Sequence, residues 1–336
     1  MLGITEKSII EGRLKARPKP LELGAVLFGI LLSIGFVYLR FTQGFHPTDG
    51  IDFGIFLNTV GGNYQDFYYP NWSIVLFIPL TWIPPALAYI LWNIVNILGL
   101  WFASRVFGGK AAIALLSYQM LFSLWFGQIV GIIVAGMAFY WWMLQRERPL
   151  LAGWGAVLAL IKPQIGIPML LAMGMLGTKQ WRDRFVSAIV PFTILGLSLL
   201  IWQGWIQELL TRIDSNPPQT AGSIALWQWL GPSVLLLWLP VIFLPMPPMR
   251  RLIAVSATMA IATPYFIHNG ILALFMLPVG IIGLLGNVGY LMVSFGWIAV
   301  KWAAIAPIVA YIWVIGQAGY TIFTSPKTIS NVESGQ

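Results

Sequence analysis

The sequence contains no cysteine, which excludes a disulfide framework, a thiol nucleophile and a thiolate metal site. Charge is almost as scarce: Asp, Glu, Lys and Arg make up 9% of the 336 residues, against about 25% in a soluble domain. A soluble globule of this length cannot cover itself with so few charges. There is no G-x-x-x-x-G-K-[ST] run, and so no P-loop for ATP. No repeat of 20 to 50 residues and no low-complexity tract stands out. What the chain has instead is apolar sequence, 58% hydrophobic with a mean hydropathy of +0.81. The apolar residues come in continuous blocks rather than in alternation, which excludes a porin-like barrel. At roughly 20 apolar residues per crossing, the blocks leave room for about ten to twelve membrane helices. The fold class is therefore all-α, a polytopic transmembrane helical bundle.

The formal charge is +8, and its placement carries topology rather than a nucleic-acid footprint. Arg13, Lys15, Arg17 and Lys19 precede the first apolar block, and further basic groups sit in short breaks: Arg105/Lys110, Arg146/Arg148, Lys179/Arg182/Arg184 and Arg250/Arg251. These mark a cytoplasmic face. Residues 1–20 read as a basic, amphipathic cytoplasmic segment, residues 21–323 as one transmembrane domain and 324–336 as a polar tail. The first block lacks a small-residue cleavage site and reads as a retained helix, about 22–40, running outward.

An exoplasmic loop, 41–70, follows. Within it IDFGIFLNTV, after the Thr48-Asp49-Gly50 turn, predicts a short interfacial helix stopped by Gly61-Gly62. Blocks 72–84 and 86–104 are split by Pro84-Pro85, and blocks 112–126 and 128–144 only by Gly127-Gln128. Neither pair is long enough for two comfortable crossings, so at least one block is short, broken or re-entrant, lining a protein cavity. Further spans fall near 149–162, 164–178, 185–206, 223–245, 252–267 and 270–286, with one or two crossings in 288–323. Gly131 and Ala135 form an ordinary helix-packing pair.

Ionisable groups at membrane depth are costly and are functional candidates by default. Lys162, in ALALIKPQIGIP, is flanked by apolar sequence, and Pro163 beside it frees backbone carbonyls. It reads either as a lysine snorkelling to an interface or as an anion-binding group in a cavity. Gln128, in WFGQIVG, is helix glue or a site residue. His268 opens an exoplasmic block and is an interfacial or a functional histidine. Most of the 17 tryptophans are explained as interfacial belts. Of eleven acids, only Asp49, Asp52 and Asp66 belong to the first exoplasmic loop. Asp49 doubles as a turn or N-cap residue. Asp52, at the start of the aromatic-rich helix, has no such structural role and suits general-base work on a hydroxyl.

These residues, in this order, resemble the C-type glycosyltransferase superfamily, most closely the family 87 branch of polyprenyl-phosphate-mannose-dependent α-mannosyltransferases. The resemblance covers about residues 20–290. It rests on GIDFGIF at 50–56, FYYPNWSIVLFIPLTWIPPALAYILWNIVN at 67–96, FGQIVG at 126–131, AGWGAVLALIKPQIG at 152–166 and ATPYFIHNGILALFMLP at 262–278. Departures are Phe56 where tyrosine is common, Asn71 where a second proline is common, and Ile129 where asparagine usually follows the glutamine.

The resemblance implies Asp52 as the catalytic aspartate and places Gln128, Lys162 and His268 at the family's glutamine, lysine-proline and histidine positions on the donor-phosphate side; Asp49, three residues before Asp52, is added to the catalytic candidates and Tyr69 to the substrate-binding ones. It further implies inverting transfer of a hexose, mannose by analogy, from a polyprenyl-phosphate donor to a lipid or glycan acceptor. The site would face the exoplasmic side of a multi-pass protein of the plasma membrane, serving the cell envelope. No cofactor is expected; a divalent cation on His46, Asp49 and Asp52 is the disfavoured alternative. A non-catalytic accessory membrane subunit and a lipid or solute transporter are the alternative classes, the latter weakened by the lack of an inverted repeat.

Overall fold

A computed structural model describes residues 6–42, 52–215, 223–288 and 297–324. Among these residues the structure is helical, without a β-strand; an isolated antiparallel bridge pairs Ser223 with Ile267. The chain opens with α1 (Glu6–Lys15), α2 (Pro20–Thr42) and the short α3 (Asp52–Val60). Two 3-10 turns, Asn71–Leu76 and Ile78–Trp82, lead into α4 (Pro85–Phe107). Next come α5 (Ala111–Leu115), α6 (Tyr118–Phe126), α7 (Val130–Gln145), α8 (Pro149–Ala159) and α9 (Pro163–Gly177). Then follow α10 (Trp181–Ile201), α11 (Trp205–Ser215), α12 (Trp227–Leu230), α13 (Trp238–Phe243) and α14 (Pro248–Ala262). The last described helices are α15 (Leu272–Phe275), α16 (Ile282–Leu285) and α17 (Ile305–Thr324).

Among the described residues, four helices are long and apolar enough to cross a bilayer, in α2, α4, α10 and across Lys301–Thr321. The protein is thus an all-α, multi-pass membrane protein, but many of the apolar blocks are not single rods. Proline explains most of the breaks, since it removes an amide donor and clashes with the preceding turn. Pro70, Pro79 and Pro84 break block 72–84 into 3-10 turns, and Pro149 and Pro163 each start a new helix at N1. Of the two short pairs, the first contains one full span, α4. The second is α6 and α7, bent by 116°. The helix expected after residue 51 is α3, and it stops at Gly61-Gly62 as expected, Gly62 taking φ +91°.

The core lies among α4, α7, α8, α9 and α14, where α7 is buried along most of its length. The small-residue pair at Gly131 and Ala135 packs there against Gly99: a Cβ on Gly99 would lie 2.5 Å from the Gly131 carbonyl oxygen and 3.2 Å from Ala135 Cβ. Helices α2 and α10 are peripheral, with 17% and 11% of their apolar windows buried against 44% for α4, so their remaining faces are the ones offered to lipid. At one end α1 is stitched down. Ile10 is fully buried, Glu11 pairs with Arg146 at 3.0 Å, Glu22 pairs with Arg105 at 3.3 Å, and Arg13 donates to the Val106 carbonyl at 3.2 Å. The basic groups of residues 13, 105 and 146 therefore share one end of the bundle. Asp52 and its partners sit at the opposite ends of α2 and α4.

Candidate active site

Helix α3 is held by an aromatic bed. Phe53 meets Tyr89 edge to face at 5.5 Å, while Phe56 stacks on Phe77 at 4.4 Å and lies 5.3 Å from the Tyr69 ring. Phe53, Phe56 and Thr59 recur at helical spacing and are buried. With that face fixed, Asp52 is placed at the first residue of the helix, half-buried.

The break between α6 and α7 delivers its partner. The carbonyls at the end of α6 are captured from α4: Asn93 donates to Leu124 at 3.1 Å, Tyr89 to Trp125 at 3.0 Å and Trp92 to Gly127 at 2.8 Å. Arg40, from the last turn of α2, also donates to the Trp125 carbonyl and lies 4.5 Å over the Trp125 ring. A cation at a helix C-terminus complements its partial negative charge. Gly127 then turns the chain with φ +67°, and a Cβ there would come within 2.5 Å of Phe53 Cβ. The turn presents Gln128, whose Nε2 donates to Asp52 Oδ2. Lys162 Nζ donates to Gln128 Oε1 at 3.1 Å, so the amide is used at both ends.

Lys162 is the N-cap of α9, in the break that Pro163 creates, and is 6% exposed. Its ammonium lies 5.6 Å from the centre of the Tyr69 ring. Burial lifts the Asp52 carboxyl above its ordinary range, and the Lys162 charge and the Gln128 hydrogen bond oppose that lift. Burial and the negative charge of Asp52 both push the Tyr69 and Tyr265 hydroxyls upward.

Four of the residues singled out in the sequence thus converge: Asp52, Gln128, Lys162 and Tyr69. His268 is fully buried at the start of a 3-10 turn, stacked 5.6 Å from Tyr118 and edge-on to Phe122 at 4.3 Å. Asp49 and His46 lie outside the described residues. Asp66 takes a left-handed φ of +63° and hydrogen-bonds the Tyr68 side chain. Among the described residues, no three His, Asp or Glu side chains come together as a metal-binding group. Two residues of the site were missed in the sequence. Tyr265 was not singled out, although it stands three residues before His268 in a quoted segment. Arg40, at the end of the first span, was not singled out either.

An apolar groove of about 460 Å³ opens beside the site between α8, α9 and α10. Pro70 and Pro163, the chain neighbours of Tyr69 and Lys162, line its inner end, and Leu170, Leu171 and Phe192 line its length. The half-buried carboxylate of Asp52, the buried amide of Gln128 and the buried ammonium of Lys162 thus form one relay beside an apolar groove. The sequence profile of Glycosyltransferase family 87 matches residues 67–270, well over half of the chain, and the chain belongs to that family. It is a membrane glycosyltransferase. The matched region contains Tyr69, Gln128, Lys162, Tyr265 and His268, with Asp52 just upstream. No curated protein sequence matches the chain.

Proposed function

We propose that the protein transfers a hexose, mannose by family resemblance, from a polyprenyl-phosphate donor to an acceptor hydroxyl at the exoplasmic face of the plasma membrane. The observation that carries this reading is the Asp52–Gln128–Lys162 relay. It holds a carboxylate and a cation in one buried site, as attack by a hydroxyl on a phosphate-activated sugar requires. Asp52 accepts the proton of the acceptor hydroxyl as its oxygen bonds to the anomeric carbon. The bond from that carbon to the phosphate oxygen breaks on the opposite face, so configuration inverts, and the phosphate leaves with both electrons. Negative charge grows on that oxygen. Lys162, at the N-terminal end of α9, supplies the compensating field where electrostatic help is largest. Gln128 orients the carboxylate and spaces it from the ammonium. The donor's isoprenoid tail fits the apolar groove, which begins beside Lys162 and opens to the lipid-facing side of α10.

The test is transfer of radiolabelled mannose from polyprenyl-phosphate-mannose by membranes carrying the wild type, Asp52→Asn or Lys162→Ala, with the anomeric configuration of the product read by NMR. The account expects transfer with inversion by the wild type and its loss in both variants. Full transfer by both variants would remove the mechanism. Use of a glucosyl or galactosyl donor alone would change the sugar and leave the site.

A further inference from the structure

Arg250 and Arg251 stand side by side in the first turn of α14, yet the fold uses only one of them. Arg251 caps the short α13, its Nη2 donating to the Leu244 carbonyl at 2.7 Å and its Nη1 to the Ile242 carbonyl at 3.5 Å. The Arg250 side chain has no hydrogen-bond or ion-pair partner among the described residues. It borders instead a cleft of about 520 Å³ between the start of α14 and the C-terminal half of α17.

The α17 wall of this cleft follows from spacing. Trp313, Gly316, Gln317 and Tyr320 recur at intervals of three and four residues and so share a face. Gly316 opens that face, since a Cβ built on it would meet nothing within 4 Å. Gln317 Oε1 is buried without a hydrogen-bond partner among the described residues, so turning the amide toward a ligand breaks no bond within them. Ile312 and Tyr320, 63% and 69% exposed, carry the rim outward.

Location decides what such a cleft can hold. The crossing segment runs over Lys301–Thr321, so Gln317 and Tyr320 stand in its last turns, at the depth of the lipid headgroups. Helix α14 carries Arg250 at one end. From its other end the chain leads to His268, whose ring lies 4.3 Å from Phe122, on the α6 that ends at the Gly127 turn. The 15 residues of α14 span about 22 Å. The cleft is therefore separate from the Asp52 site and lies toward the opposite end of the bundle.

We propose that this cleft binds the headgroup of an anionic phospholipid that carries a hydroxyl, as phosphatidylglycerol does. The Arg250 guanidinium pairs with the phosphodiester through two parallel N–H donors. The Gln317 amide meets the headgroup hydroxyl, and the acyl chains follow Ile312 into the bilayer. Trp313 and Tyr320 are rings suited to this depth. A choline headgroup instead brings a cation beside Arg250 and offers no hydroxyl. The inference does not depend on sugar transfer.

The test is native mass spectrometry of the full-length protein in detergent. Phosphatidylglycerol and phosphatidylcholine of matched chains are added in turn, and phosphatidylglycerol then with excess inorganic phosphate. Wild type is expected to retain phosphatidylglycerol about tenfold better than phosphatidylcholine, and inorganic phosphate is expected to leave it in place. Arg250→Gln and Gly316→Trp are each expected to weaken phosphatidylglycerol retention about tenfold. Gly316→Trp fills open space on an exposed face, so it tests the cleft even if the arginine variant folds poorly. Lys179→Gln, which removes an exposed basic group outside the cleft, is expected to change nothing. Equal retention of both lipids by wild type, retention untouched by Gly316→Trp, or an equal loss in Lys179→Gln overturns the inference. Displacement by inorganic phosphate overturns it too, because the ligand would then be a free phosphate.

Discussion

As the proposed base, Asp52 takes its strength from its neighbours. Burial raises its pKa while Lys162 and Gln128 lower it, so removing the Lys162 charge removes a lowering influence. The acidic limb of kcat/KM reports the free enzyme's base, which must be deprotonated to act. In Lys162→Met that limb is expected to move to higher pH, on top of a fall in rate; a limb that stays put or moves down in a pH series would show that the two groups do not communicate. Gln128 and Lys162 were legible in the sequence as polar groups between apolar blocks, and Asp52 as one of only three acids in the first exoplasmic loop. Their mutual geometry was not legible, since residues 52, 128 and 162 are joined only by the folding of three breaks onto one another. Tyr265 and Arg40 were hidden for the opposite reason, because a tyrosine or arginine near a membrane surface is ordinary.

The elements that matter most are the interruptions. The turn at Gly127 aims Gln128, and it survives because Trp92, Asn93, Tyr89 and Arg40 take up the carbonyls that α6 leaves behind. Gly127→Ala puts a Cβ against Phe53 in a left-handed backbone conformation. Such strain costs about 1–3 kcal/mol, and the variant is expected to melt lower in a detergent thermal-shift assay and to lose transfer more than its stability loss explains. Unchanged melting and rate would mean that the break tolerates a side chain. The groove makes a second prediction at this scale. Leu171 is 63% exposed on its wall, so Leu171→Trp should fill it without disturbing the core. The expected result is a raised KM for a long-chain polyprenyl donor and little change for a short-chain analogue; an equal effect on both would place the tail elsewhere. The sequence showed that the pair 72–84 and 86–104 and the pair 112–126 and 128–144 were each too short for two crossings, because length and proline are local. Which of them bent, and by how much, depended on contacts with α4 that no local signal encodes.

At the scale of the molecule, a basic end stitched by α1 opposes an end that carries the site. The charge pattern predicted that polarity, since Arg105 and Arg146 do share an end with Arg13. The missing cysteines make the orientation directly testable, because a single introduced cysteine is the chain's only thiol. In intact cells Gly62→Cys is expected to react with a membrane-impermeant maleimide, and Lys110→Cys only after permeabilisation; the reverse pattern would put the site in the cytoplasm. The proposed mechanism turns on Asp52. The measurement that tests the account most directly is therefore the single-turnover rate of sugar transfer from polyprenyl-phosphate-mannose by purified Asp52→Asn protein at pH 7, compared with wild type at matched folding. Loss of a general base predicts a fall of about 10²–10⁴ with donor binding retained; a rate within a few fold of wild type would contradict the account.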